Sequence, residues 1–203
     1  MRLPVAVPLA AALVIAPCFA DTPASADAPA SAPAIEAVLA HPVYATDYTC
    51  SEHAAGELQG MGDELGQDCV IQAFVKYKGR LFMRSFRNEG LRNEDWYGWN
   101  QPVLSPCDCT VAAIHINPVT NRPGIVGKPP SSWIQLQRAD GVMFLVAHVQ
   151  SLKVKEGDTV RAGQPIGQVG NNGFARIPHV HIGAWRGSTP LQIRWDQTHI
   201  PIL

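Results

Sequence analysis

From Val70 to the end of the chain, the apolar residues fall into short β-rich runs, and Gly-, Pro- and Asn-containing turns punctuate them. The stretch VIQAFVKYKGRLFMRSF contains two such runs joined at Lys76–Gly79, which predicts a hairpin. Gln101–Ile116 reads as an extended segment with a turn at Ser105–Asp108. Trp133–Gln137 and Val142–Val149 predict a second hairpin around Ala139–Gly141. Val154 and Val160 flank a tight turn at Glu156–Asp158, where Gly157 suits a positive φ. Gln164–Val169 and His179–Trp185 predict two further strands. No segment sustains a 3.6-residue apolar period, so the expected domain is mostly β, with antiparallel pairing and short turns.

The N-terminal part reads differently. Residues 1–20 combine Arg2, a long apolar run and small residues before Asp21, the pattern of a secretory signal peptide. Residues 21–40 are dominated by Ala, Pro and Ser, which predicts a tether without a core. Residues 41–80 form a mixed lead-in, with a short helix expected around Ser51–Gln59 and a strand from Cys69. His41 and His53 lie in this lead-in and read as surface histidines. The remaining residues, 81–203, are expected to hold the functional domain.

Composition narrows the function classes. Without Arg2 the chain has 15 basic against 17 acidic residues, and no basic patch points to nucleic acid. An exported chain, in the periplasm or at the cell surface, tolerates disulfides, and four cysteines follow the leader: Cys50, Cys69, Cys107 and Cys109. Cys50–Cys69 is the natural local bridge. Cys107 and Cys109 would point the same way on a strand and so resist a mutual bond, which leaves pairing with Cys50 and Cys69 open.

The chemistry concentrates between Val142 and Trp185. His148 ends an apolar run, and His179 and His181, two apart on a strand, share one face. Three imidazoles aimed at one point suit a metal or an acid/base centre. Trp96, Tyr97 and Trp99 either line a groove or pack at the edge of the core, and the long loop Asn117–Ser132 is placed to rim a substrate groove. His115 and His199 read as ordinary polar residues, and Asn171–Gly173 as a turn.

Three elements in this order are familiar: A-H-V-Q at Ala147–Gln150, V-K-E-G-D-T-V-R-A-G-Q-P-I-G-Q-V-G-N-N-G from Val154, and P-H-V-H at Pro178–His181. Together with PVLSPCDCTV upstream, they resemble the lysostaphin/LytM-type zinc peptidoglycan endopeptidases over about Leu81–Arg186. The resemblance implies a compact antiparallel β-sheet domain with a groove. It implies a Zn2+ site and a monomer acting on peptidoglycan peptide or glycan. By motif, His181 is implied as a metal ligand, and His148 and His179 as the catalytic pair.

The family's first ligand motif, H-x-x-x-D, has no direct counterpart. In one placement Asn88-Glu89-Gly90 opens the motif and Arg92 takes the aspartate position. In the other, Asp95 is the ligand and Leu91 replaces the histidine, leaving Asp95 and His181 with Glu94, Asn93 or Asn88 as the third donor. The competing expectation is a degenerate domain of the same fold that binds the wall or activates a cell-wall hydrolase. A lipoyl-type carrier shares V-x-x-G-D-x-V-x-x-G-Q but needs a lysine at a hairpin tip, which is absent here.

Overall fold

The computed structural model describes residues 34–199. The signal peptide read at 1–20 and most of the tether lie outside them. Fourteen strands run in chain order: β1 Ala37–Ala40, β2 Tyr48–Glu52, β3 Gln67–Ile71, β4 Ala73–Tyr77, β5 Arg80–Arg84, β6 Pro102–Leu104, β7 Cys109–His115, β8 Trp133–Arg138, β9 Met143–Ala147, β10 Val149–Gln150, β11 Thr159–Val160, β12 Pro165–Val169, β13 Val180–Arg186 and β14 Thr189–Trp195. Among the described residues the helical content is two single 3-10 turns, at Asn93–Asp95 and Gln197–His199.

A nine-stranded sheet carries the order β1-β14-β13-β9-β8-β7-β11, with β2 and β3 joined to it through β13. A smaller sheet, β10-β12-β6, and the separate hairpin β4-β5 complete the fold. All pairs are antiparallel except β1 with β14. The core lies between the large and small sheets. Phe144, Ile134, Leu136 and Ile182 meet Val103, Ile166 and Val169 there, all without solvent exposure. Each such side chain contributes about 1.5–3 kcal/mol of burial free energy.

The fold is mostly β, as the patterning indicates, and the hairpins at Lys76–Gly79 and Ala139–Gly141 form where the turn residues place them. Gly157 adopts φ 85°. The lead-in behaves otherwise. Residues 34–199 cluster within one compact unit, which includes 41–80. No helix forms over Ser51–Gln59; β2 runs through Glu52 and turns follow. Within the reach of the tether, Ala37–Ala40 adds an edge strand to β14.

Both disulfides are local. Cys50 and Cys69 are register partners on β2 and β3 and are bonded, with Cα atoms 4.1 Å apart. Cys107 bonds Cys109, against the expectation that they resist each other. That expectation assumed a strand across both, whereas Cys107 lies in the bend before β7 and only Cys109 begins the strand.

Candidate metal and catalytic centre

β13 is the central strand of the site. On one side it pairs with β9, setting His181 opposite Ala147. On the other it pairs with β3, setting His181 opposite Asp68. His179 immediately precedes β13 and shares the face of His181. His148 follows β9 with φ 62°, a left-handed conformation uncommon for a residue with a Cβ. This kink redirects its ring toward His179, with centroids 4.5 Å apart. His53 leaves the end of β2, where its backbone N–H donates to the Gly66 carbonyl, and its ring stacks on His181 at 5.3 Å.

A backbone carbonyl fixes each of the four rings. His53 Nδ1 donates to Asp63 at 2.9 Å, His148 Nδ1 to Asn172 at 2.9 Å, His179 Nδ1 to Ile177 at 2.8 Å, and His181 Nε2 to Gly62 at 2.8 Å. A carbonyl only accepts, so each of these nitrogens carries hydrogen and the other nitrogen is left for the site. Three of those free nitrogens converge on Asp68. His181 Nδ1 is 2.9 Å from Oδ1, His179 Nε2 is 3.5 Å from Oδ1, and His53 Nε2 is 3.6 Å from Oδ2.

Glycines make room for the Gly62 contact. A Cβ on Gly183 would overlap the Gly62 carbonyl, and one on Gly66 would sit 2.8 Å from His181 Cε1. The loop between β2 and β3 can therefore lie directly on β13.

An imidazole lone pair facing a carboxylate at 2.9 Å is repulsive unless a cation lies between them, either a proton or a metal. Burial opposes charge on His181, but the hydrogen bond that protonated Nδ1 donates to Asp68, with the charge of that carboxylate and the Gly62 contact, outweighs it and raises its pKa. Burial opposes charge on Asp68 as well, yet the hydrogen bonds of His179 and His181 hold its carboxyl well below the usual carboxylate range. His148 is different. Burial, followed by the charge of neighbouring His179, pushes it down to about 3, so it stays neutral near pH 7.

The donor set fits zinc. Donor atoms of His53, Asp68 and His181 all lie within 4.8 Å of one another. Ligand atoms about 2.1 Å from a tetrahedral zinc are about 3.4 Å apart, close to the 2.9 and 3.6 Å separations observed. Two imidazoles and a carboxylate leave a fourth position open, as catalytic zinc requires. The carbonyl bonds on His53 Nδ1 and His181 Nε2 are the outer-shell contacts that fix a ligating tautomer.

Of the expected site residues, His148, His179 and His181 come together and Asp95 does not join them. Asp95 is buried in its own 3-10 turn, where Oδ1 accepts from Asn88 at 2.8 Å and Oδ2 from the Arg92 N–H at 3.2 Å. The Asn88 hydrogen bond lowers its pKa first, and the Arg92 contacts add to this. Asp95 therefore staples its loop and does not line the histidine cleft. Asn93 is engaged with Asn121 and Asn171. Trp96 packs on Phe86 and donates to the Gly90 carbonyl, and neither it nor Tyr97 or Trp99 lines the cleft. His115 stacks on Trp133.

The cleft has a volume of about 780 Å³. Its floor holds the histidines and Asp68. Its walls include Leu58, Trp133 and Phe174, and the loop at 117–132 contributes Val126, Pro129 and Pro130, the rim expected of it.

Residues 97–193, just under half of the chain, match the model of Peptidase family M23. The match bears out the resemblance read from the His148, Gly157–Gln164 and His179–His181 motifs. It begins downstream of His53, Asp68 and Asp95. No curated protein matches the chain. Among solved structures, the catalytic domain of lysostaphin from Staphylococcus simulans is 21% identical, with 71% of this chain and 86% of that one covered and a TM-score of 0.42. The M23 metalloprotease pseudoalterin, from the deep sea, is 16% identical, with 76% and 74% covered and a TM-score of 0.44. A zinc-containing peptidase from Vibrio cholerae is 15% identical, with 67% and 50% covered and a TM-score of 0.38.

Proposed function

We propose that the chain is an exported zinc metallopeptidase that hydrolyses peptide cross-links of peptidoglycan. The observation that supports this reading most is the convergence of His53 Nε2, Asp68 and His181 Nδ1 beside His148 and His179. In this reading His53, Asp68 and His181 hold the metal. Zinc, when bound, supplies a Lewis acid that acidifies water and polarises a scissile carbonyl. His148, neutral and with Nδ1 tied to the Asn172 carbonyl, offers the unprotonated Nε2 as a proton acceptor. His179, tied at Nδ1 to Ile177, orients its Nε2 over Asp68 and beside His148, where it stabilises the developing oxyanion once it carries a proton. The apolar cleft walls, Leu58, Trp133 and Phe174, offer contacts to a polypeptide strand bound across this centre.

The degenerate reading rested on a missing first histidine. The convergence of His53 and Asp68 with His181 supports a metal-binding site that does not need that histidine. Metal analysis of the purified protein and a digest of cell-wall muropeptides test the proposal. The expected result is one zinc per chain and release of fragments cut in the peptide stems or bridges. Absence of metal after zinc loading, or an intact wall after incubation with the loaded protein, overturns it. The leader read at residues 1–20 supports a location in the periplasm or at the cell surface, and a fluorescent fusion retained in the cytoplasm contradicts it.

A further inference from the structure

The hairpin β4–β5 takes no part in the site, and its two strands pair only with each other among the described residues. Phe74 and Met83, at its base, line a groove with Tyr48 and Trp195, which seats that end on the domain. Toward the turn at Lys78–Gly79 the ribbon stands free. Phe74, Tyr77, Leu81, Phe82 and Met83 are 43–68% exposed. Such a run of large apolar side chains in water is unfavourable for a soluble protein unless something covers it.

Two features identify the cover. The first is that both faces are apolar. Beyond the seated pair Phe74↔Met83, Leu81 (paired with Lys76) projects from one face, and Phe82 and Tyr77 (paired with Val75 and Arg80) project from the other. A protein groove or a second copy covers one face of a ribbon, whereas a fluid headgroup layer closes around both. The second is charge. Residues 73–84 contain Lys76, Lys78, Arg80 and Arg84 and no carboxylate, so the rest of a chain of net charge −1 carries −1 − 4 = −5. Among the described residues none of these four cations belongs to an ion pair; the Lys and Arg pairs are at Arg92, Arg138 and Arg186. Long cationic side chains interleaved with aromatic and aliphatic ones suit a lipid interface, where the stems lie in the apolar layer and the charges reach the headgroups.

We propose that the β4–β5 hairpin docks the protein on an anionic phospholipid surface. Leu81, Phe82 and Tyr77 enter the interfacial layer, and Lys76, Lys78, Arg80 and Arg84 pair with the lipid headgroups. Each cation near such a surface raises partitioning about fivefold. The attachment is therefore reversible and falls with salt. It stands independently of the peptidase reading.

A Tyr77→Trp variant of the full chain reports the environment of the hairpin itself, so that attachment of residues 1–20 to lipid leaves its signal unchanged. Its emission relative to the parent protein is followed against vesicles of phosphatidylcholine alone and of phosphatidylcholine mixed with phosphatidylglycerol. A blue shift with the mixed vesicles only is expected. In the same background Lys78→Ala with Arg80→Ala weakens the titration roughly 25-fold. Leu81→Ser with Phe82→Ser abolishes the shift, while the near-ultraviolet circular dichroism of both variants matches the parent. No shift with anionic vesicles, or an equal shift with neutral ones, overturns the proposal. So does a self-association, seen by sedimentation velocity, that disappears in Leu81→Ser with Phe82→Ser, because the cover is then a second copy.

Discussion

Asp68 and His181 are register partners on neighbouring antiparallel strands, and their side chains meet at 2.9 Å on the cleft face. The strand pairing itself thus delivers a carboxylate to the second histidine of the H-x-H motif. His53 completes the group from the turn after β2. The prediction is direct. Asp68→Asn removes a ligand charge and lowers zinc affinity more than about 100-fold, since even outer-shell changes cost 10–100-fold. Asp95→Asn loses the Asn88 and Arg92 contacts, lowers the melting temperature and leaves bound zinc at the parental level. Elemental analysis of both variants checks this. Zinc lost from Asp95→Asn and kept by Asp68→Asn reverses the assignment.

The contact of Gly62 with His181 predicts an effect from outside the ligand set. Gly183 has no side chain, and a methyl there would overlap the Gly62 carbonyl that fixes His181 Nε2. Gly183→Ala therefore displaces the loop, frees the ring to rotate, and lowers zinc affinity about 10–100-fold while the sheet remains folded. Competition with a fluorescent zinc chelator, read beside far-ultraviolet circular dichroism, measures both halves of that statement. Gly98→Ala is a suitable control, because its backbone is not left-handed and the Cβ it would add meets only Ile71, at an ordinary 3.6 Å.

How much of this was legible depends on which forces act locally. The strands β6 to β9, β12 and β13 follow from turn chemistry and short apolar runs, whereas β14 was not among the expected strands; the shared face of His179 and His181 follows from strand geometry alone. His53 and Asp68 lie fifteen residues apart with a Gly-rich loop between them, and no local period connects them. Strand register brings them together, and register is a non-local property. One signal was available. The Cys50–Cys69 bridge favoured by spacing sets residue 50 opposite 69, which places Ser51 opposite Asp68 and brings His53 to the same end. Asp95 fits one placement of the first ligand motif, but its polar neighbours Asn88 and Arg92 satisfy it locally. The Cys107–Cys109 bond escapes a strand-based expectation for a related reason: a bend, not a strand, holds the first cysteine.

Tyr48 supplies a pH prediction away from the metal. Its hydroxyl is buried without a hydrogen-bond partner, and burial pushes its pKa up to about 12 from 10. Above pH 10 the unfolded chain loses this proton before the native chain does. Stability from this residue is therefore complete below pH 10 and is lost as pH rises from 10 to 12. Tyr48→Phe removes an unsatisfied polar group, stabilises the protein at neutral pH by about 1 kcal/mol, and reduces the alkaline slope. Tyr44, also raised by burial, retains part of that slope. Urea melts at pH 8, 10 and about 11.5 compare the two proteins, and a less stable Tyr48→Phe at pH 8 contradicts the account.

The Cys50–Cys69 disulfide lies next to the site on the opposite face of β2 and β3. Asp68 precedes Cys69 and His53 follows Cys50 by three residues, so the bridge ties the strand that carries one proposed ligand to the strand that leads into the other. Its sequence separation is 19, and a loop of that size corresponds to about 3 kcal/mol in the chain-entropy account. Replacing both cysteines by alanine is expected to lower stability by about that amount. Because two of the three ligands then depend on hydrogen bonds alone for their separation, zinc affinity falls as well. Zinc present in excess restores part of the lost stability, because a ligand that binds only the native state adds to it by mass action. The Cys107–Cys109 bridge holds no ligand-bearing strand, so its double alanine variant keeps the parental zinc affinity. A zinc titration of thermal melts on both double variants separates the two bridges. Equal zinc affinity in both would mean that strand pairing alone positions His53 and Asp68.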